Sequence, residues 1–393
     1  MTKHVYGVII HQERGSGPAL DFLFEFVWEV PMSRENTYNF AAGPSVMPEP
    51  ALKTAAAEML DYRSGGCSVM EMSHRSRAFQ DIFDGAGEKL RSVMNVPDTH
   101  EILFLQGGAT LQFAAIPMNL MGQGGTADYA VTGNFSGIAA EEAKKYGTVN
   151  IAADTADRDH SYIPRQDSLK FTQGASYFYY CANNTIYGTE WQYVPETAGA
   201  PLVCDMSSDI LTRPVDFSKY GLVYAGAQKN MAPAGLTVVI VDKRLAGRAL
   251  PITPKVMDYA VQIDKNSMLN TPPCWCIYML GLTLDWVIGQ GGIAAMEELK
   301  RARAGLLYDY LDGSRIFIPH AEKGSRSYMN VTFRTASPET DAEFVAGAAA
   351  RGLMNLKGHR KTGGMRASIY NAMPVEGVER LVEYMKEFEV AHL

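Results

Sequence analysis

The sequence predicts an α/β protein in which a mostly parallel sheet lies between helices and a second, smaller α/β unit closes the chain. Two observations carry this. Short apolar, β-branched runs alternate with stretches of helical period, the pattern of βαβ units, and glycine-bearing turns separate strands from the helices that follow. At 393 residues, 47% hydrophobic and 20% charged, the chain has length enough for two domains and the balance of a soluble globular protein.

Residues 1–31 differ from the rest. The run ALDFLFEFVWEV is broken by Asp21, Glu25 and Glu29, is too short to span a bilayer and lacks the order of a secretory signal. Met32 opens a conventional N-terminus, so residues 1–31 are expected to be an extension outside the functional unit. A helix is predicted from Pro48 through PEPALKTAAAEMLDY, then a glycine-broken loop, SGGCSVMEMSHRSRAF, then a second helix, FQDIFDGAGEKLRSVMNV. EILFLQGGATLQFAAIPMNLM reads as strand, glycine turn and helix. ADYAVTG, IAAEEAKKYG, TVNIAA, ASYFYYCAN and PLVCDMSSD continue the alternation. After LTVVIVDK and the proline-broken loop NSMLNTPPC, one long helical region is expected from Trp275 to about Asp312. A strand SYMNVTFRT, a helix DAEFVAGAAARG, the glycine-rich LKGHRKTGGMRASIYNA and an amphipathic helix VEGVERLVEYMKEFE complete the chain.

A formal net charge of −7 argues against a nucleic-acid or anionic-membrane binder, so any anion site must be a local basic cluster. Five scattered cysteines form no disulfide framework. Cys274 and Cys276 lack a second pair or a nearby His, so no metal is expected and the setting is a reducing cytoplasm.

The chemistry centres on Lys229, in YAGAQKNMAPAG between the strand-like LVYA and LTVVIVD. A lysine there is either a solvated turn residue or, withdrawn from water, an amine that holds its proton less tightly and can form a Schiff base. Three further features favour the second. QGGATLQ places glycines between strand and helix, where backbone N–H groups and the helix dipole can hold a phosphate, although it is neither a Walker A nor a dinucleotide fingerprint. Asp205 ends the strand LVCD at the ligand-binding edge; it suits turn chemistry, but also the anion that a pyridine cofactor needs opposite its ring nitrogen. Two His-Arg pairs, His74-Arg75 and His359-Arg360, with Arg366 near the second, suit a doubly charged phosphate.

The stretches FAAGP, SVMEMSHR, GGATLQF, CDMSS, VYAGAQKN, PAGLT, NTPP and KGHRKTGGMRASIYNAMP resemble the phosphoserine aminotransferase family, in the class V branch of the fold-type I pyridoxal-phosphate enzymes. The resemblance runs from about Tyr38 to the C-terminus. It implies a large domain with a mostly parallel seven-stranded sheet at 48–290, a small domain at 291–393 and a segment, 32–47, joining the small domain. It also implies one pyridoxal 5'-phosphate per subunit as a Schiff base on Lys229, with Asp205 at the pyridinium nitrogen. Ala109, Thr110, Thr185 and Gln228 would contact the cofactor, and Phe135 would stack on its ring. Asn270 and Thr271 would reach the other subunit's phosphate, making a homodimer with shared sites. Arg366 would take the substrate α-carboxylate; His74, Arg75, His359 and Arg360 would take the distal phosphate or the glutamate side-chain carboxylate.

The implied reaction is ping-pong transamination between L-glutamate and 3-phosphohydroxypyruvate in serine biosynthesis, with the 4-phosphohydroxy-L-threonine step of pyridoxine biosynthesis left open. Two departures stand out: Thr110 where some members carry Arg, and Ala42 where others carry Ser. A cysteine desulfurase, an alanine–glyoxylate aminotransferase and a catalytically silent binding protein are the rivals. A desulfurase needs a nucleophilic cysteine late in the chain, where the last here is Cys276, and Lys229, Asp205 and both His-Arg pairs argue against silence.

Overall fold

The computed structural model describes residues 33–393, so the extension expected at residues 1–31 lies outside the described residues. In chain order the elements are β1 (Tyr38–Asn39), α1 (Glu49–Ala57), α2 (Arg77–Met94), β2 (His100–Leu105), α3 (Gly108–Leu120), β3 (Thr126–Val131), α4 (Asn134–Ala143) and β4 (Thr148–Asp154). Then come β5 (Phe178–Cys181), β6 (Asn183–Asn184), β7 (Thr189–Glu190), β8 (Leu202–Asp205), β9 (Leu222–Gly226), β10 (Thr237–Asp242), α5 (Tyr259–Asp264), α6 (Cys274–Gly289) and α7 (Gly292–Gly313). The last are β11 (Ile318–Pro319), β12 (Asn330–Arg334), α8 (Pro338–Ala350), β13 (Leu353–Met354), β14 (Met365–Ser368) and α9 (Val375–Ala391).

A seven-stranded sheet in the order β2-β10-β9-β8-β5-β3-β4 forms the centre. Its strands from β9 to β4 run parallel, and β10 lies antiparallel to both neighbours. The β9–β10 connection, residues 227–236, is therefore a return at one sheet end, and it carries Lys229. Strands β8, β9 and β10 are buried along their whole length, as a sheet covered by helices on both faces requires. Alternation sorts β9: Val223 and Ala225 enter the core beneath α2 and α6, while Leu222 and Tyr224 enter the core beneath α3 and α4.

The helical region expected from Trp275 to Asp312 is two helices, α6 and α7, bent by 79° at the break between them. Gly291, at φ +102°, takes the left-handed conformation that starts α7, within the glycine-rich run Gly289-Gln290-Gly291-Gly292. The start of α7 (Ile293, Met296) joins the large core, and its end (Ala304, Leu307, Leu311) joins a second core around β12, β14, α8 and α9. The chain entering at Tyr38–Asn39 pairs in parallel with Leu353–Met354, and Phe40 is buried in that second core. The glycine-rich stretch after Leu356 is a tight loop followed by β14. An added Cβ at Gly364, φ +59°, would lie 2.5 Å from the Phe333 carbonyl oxygen, so only glycine fits. No single described helix is long and apolar enough to cross a membrane.

Candidate active site

Parallel strands of one sheet present their carboxyl ends together, and loops there gather residues distant in sequence. Lys229 lies in the β9–β10 return, and its Nζ donates a hydrogen bond to Thr185 Oγ1 at 2.8 Å. Thr185 sits in the return between β6 and β7. Its carbonyl oxygen accepts from Arg366 Nη1, at 3.3 Å, on β14 of the second core. One threonine thus joins the lysine of the large core to an arginine of the small one. Burial pushes the Arg366 guanidinium below its usual range, with Tyr370 acting weakly the other way, so a carboxylate ligand would restore charge balance there.

The entry loop packs on the lysine: Ser45 donates its hydroxyl to the Lys229 carbonyl and its N–H to the Gln228 carbonyl at 3.0 Å. Gly43, at φ +137°, lets the loop close on the lysine stem, where an added Cβ would lie 3.4 Å from Lys229 Cγ. Phe135 opens α4, with its ring centroid 5.8 Å from Lys229 Nζ. At Gly226 an added Cβ would meet Gln228 Oε1 at 2.8 Å and Ala109 Cβ at 3.4 Å, so this glycine admits Gln228 beside Ala109 at the start of α3. No side chain caps that helix start.

Asp205 ends β8, buried. Its Oδ1 accepts from the Ser207 N–H at 2.8 Å and its Oδ2 from the Tyr224 hydroxyl at 2.9 Å. His359 and Arg360 occupy the exposed loop before β14. Burial, then the charges of Arg366, Arg360 and Lys361, pushes the His359 imidazolium below its usual range. Its Nδ1 accepts from the Lys361 N–H at 3.2 Å.

The structure brings together Lys229, Thr185, Arg366 and Phe135, and separately Gln228 with Ala109. Among the described residues the other predicted site residues make no hydrogen bond or ion pair with Lys229. His74 and Arg75 form the turn before α2, Arg75 exposed, and among the described residues neither hydrogen-bonds to Lys229, Arg366 or His359. Thr110, Asn270 and Thr271 are exposed; Thr271 gives its carbonyl to Gln106 Nε2 at 2.9 Å. Sequence reasoning missed Ser45 and Tyr224. Ser45 lay next to the quoted FAAGP and Tyr224 within VYAGAQKN, where a serine after proline and a tyrosine in a strand need no functional explanation. Among the described residues no cluster of His, Cys, Asp or Glu is placed to hold a metal.

A lysine amine at a sheet end, a buried acid on the neighbouring strand and an uncapped helix start gather at one edge of the sheet, an arrangement able to serve a cofactor-dependent transferase of amino groups. The family model "Aminotransferase class-V" matches residues 37–381, and the chain belongs to that family. Among its relatives, a phosphoserine aminotransferase of Pseudomonas entomophila is 50% identical over 358 residues, 91% of this chain and 99% of that protein. Among solved structures, the phosphoserine aminotransferase of Bacillus circulans subsp. alkalophilus is 41% identical, with a TM-score of 0.89 over 91% of this chain and 100% of its own. The PLP-bound phosphoserine aminotransferase of Trichomonas vaginalis is also 41% identical, with a TM-score of 0.86 over 89% of this chain and 99% of its own.

Proposed function

We propose that this class-V aminotransferase moves the amino group of L-glutamate to 3-phosphohydroxypyruvate, reversibly, giving 2-oxoglutarate and O-phospho-L-serine. The observation that carries the reading is Thr185, whose hydroxyl takes Lys229 Nζ and whose carbonyl takes the Arg366 guanidinium. A proton-transferring amine and a cation able to seat an α-carboxylate are held by one residue. The relatives named above support the particular pair of substrates.

The residues fit pyridoxal 5'-phosphate. The uncapped N-terminus of α3, at Ala109 and Thr110, offers free backbone N–H groups to a phosphate. Gln228 and Thr185 supply polar contacts beside it, Phe135 supplies a ring face, and Asp205 supplies a buried anion. When bound, the cofactor supplies an aldehyde for covalent attachment to Lys229 Nζ, one per subunit, and a protonated ring that draws electrons from the substrate α-carbon.

Arg366 orients the α-carboxylate of either substrate through a planar pair of donors. Lys229 Nζ takes the proton from the glutamate α-carbon and, in the return half-reaction, gives one to the α-carbon of the keto acid. His359 and Arg360 hold the distal phosphate. Among the described residues the His74–Arg75 turn and the exposed Asn270 and Thr271 make no hydrogen bond or ion pair with Lys229, which favours service to the site of a second copy in a homodimer. Residues 48–290 are then the cofactor-binding unit and 291–393 the smaller one, to which 32–47 is joined. The enzyme works in L-serine biosynthesis, in the cytoplasm. Incubating the purified protein with glutamate and phosphohydroxypyruvate should yield O-phosphoserine by chromatography. No product, or equal turnover of pyruvate, would overturn the reading.

A further inference from the structure

Tyr179 on β5, Asp205 on β8 and Tyr224 on β9 sit on three adjacent strands and one sheet face, with Asp205 and Tyr224 paired in register. All three are sealed from solvent: the tyrosines are 0% exposed and Asp205 is 4% exposed. The Tyr224 hydroxyl lies 2.9 Å from Asp205 Oδ2, and the Tyr179 hydroxyl lies 2.8 Å from the Tyr224 hydroxyl. A carboxylate can only accept, so Tyr224 spends its proton on Asp205 and Tyr179 must donate to Tyr224. Burial, reinforced by the Asp205 charge, pushes both phenols well above their usual range, so both keep the protons this chain needs. Tyr179 is itself fixed by stacking on Tyr129, with ring centroids 4.8 Å apart.

We propose that Tyr224, backed by Tyr179, is a positioning residue that locks the Asp205 carboxylate in the orientation facing the cofactor's ring nitrogen. The proposal rests on the assignment of Asp205 made above. With the Ser207 N–H on one oxygen and Tyr224 on the other, the carboxylate plane cannot turn, and each oxygen retains lone-pair capacity for a ring N–H. A tyrosine hydroxyl in a core also needs a partner simply to be satisfied, so the test must separate positioning from packing.

The full-length protein, freed of cofactor, is titrated with pyridoxamine 5'-phosphate, which cannot condense with Lys229. A second titration uses its 1-deaza analogue, which has carbon in place of the ring nitrogen. Both are followed by quenching of intrinsic fluorescence, and circular dichroism checks folding. Tyr224→Phe should weaken the natural compound about tenfold, the scale of one charge-assisted hydrogen bond, and leave the deaza analogue within about twofold. Tyr179→Phe should act in the same direction by about threefold; it keeps the Asp205 bond and serves as the probe if Tyr224→Phe does not fold. Equal weakening of both compounds would reduce Tyr224 to packing, and no change in either would also overturn the proposal. Asp205→Asn is the control. If it discriminates between the two compounds and Tyr224→Phe does not, the assignment of Asp205 stands and the inference falls; if Asp205→Asn does not discriminate, both fall.

Discussion

Arg366 and Arg360 stand six residues apart in sequence, yet removing each should leave a different kinetic signature. Arg366 is part-buried, bonded to the Thr185 carbonyl and thereby fixed next to Lys229, the position for a group present in every amino-acid and keto-acid substrate. Arg360 is exposed on the loop beside His359, and under the proposed function it meets only a substrate with a charged distal end. Charge-assisted hydrogen bonds contribute roughly 1.5–3 kcal/mol each, so losing the Arg366 pair should cost at least about 3 kcal/mol, on the order of 100-fold in kcat/KM. Arg366→Ala should impose that loss equally on phosphohydroxypyruvate and pyruvate. Arg360→Ala should lower phosphohydroxypyruvate alone by roughly tenfold, about 1.4 kcal/mol, and so narrow the preference. Because Arg366→Ala also strips the Thr185 carbonyl of a donor, Arg366→Lys is the control: it keeps the charge, loses the planar fork and should recover only part of the loss. Steady-state efficiencies on both keto acids decide the matter. A preference ratio changed by Arg366→Ala, or left intact by Arg360→Ala, would refute the division of labour.

Lys229→Ala should abolish turnover while leaving measurable cofactor binding through the α3 start and Asp205. Wild-type turnover in that variant would displace Lys229 from the centre of the reaction. Thr185→Val removes the hydroxyl that holds Lys229 Nζ but keeps the carbonyl that holds Arg366, so kcat should fall roughly tenfold with KM for glutamate little changed; a fall confined to KM would contradict this. His359 is held below its usual pKa by burial and neighbouring cations, so it is neutral in the free enzyme at neutral pH and gains a proton when a dianion binds. Inhibition by sulfate, which stays a dianion, should therefore tighten as pH falls below neutrality, and His359→Gln should flatten that dependence. Lys300→Met should cost about 3–5 kcal/mol by chemical denaturation, because it leaves the buried Glu190 without its cation at 3.7 Å. The double variant Lys300→Met/Glu190→Gln should recover part of that loss, and a fully additive double would remove the pair from the account.

The order of strands and helices was legible because apolar period distinguishes the two, and Lys229 and Asp205 drew attention because a charge beside a buried strand contradicts its surroundings. Direction was not. The antiparallel setting of β10 depends on how residues 227–236 turn back, and LTVVIVD has the same composition in either sense. The bend between α6 and α7 was passed over for a different reason: Gly289-Gln290-Gly291-Gly292 breaks the apolar pattern and is itself a turn signal, but the helical stretches on both sides read as one. Tyr224 was passed over because its ring belongs in a strand; only its hydroxyl, aimed at Asp205, sets it apart. The link between Thr185 and Arg366 joins residues on different cores, which no local pattern reports.

That division of the site between two cores explains why α7 carries charge where it is buried. Lys300 is on the helix that spans both cores, and its Nζ lies 3.7 Å from Glu190 on β7, just beyond the return that carries Thr185. Asp209 and Arg213, paired at 3.0 Å after β8, complete a group of four charges, three of them buried and Arg213 half-buried. Burial pushes Lys300 down and Glu190 and Asp209 up, each against its own ionisation, and the opposite charges pull each part of the way back. Such a group adds little stability over an apolar core of equal volume, but removing one member leaves the others buried without compensation. Glu190 Oε2 also accepts the N–H of Tyr328, the approach to β12, at 2.8 Å, so the same carboxylate ties α7 and the small core's sheet to the loop of Thr185. β12 in turn pairs with β14, opposing Thr332 to Arg366. Arg366 is thus tied to the Thr185 loop twice, directly through the Thr185 carbonyl and, by way of β14 and β12, through Glu190 and its partner Lys300.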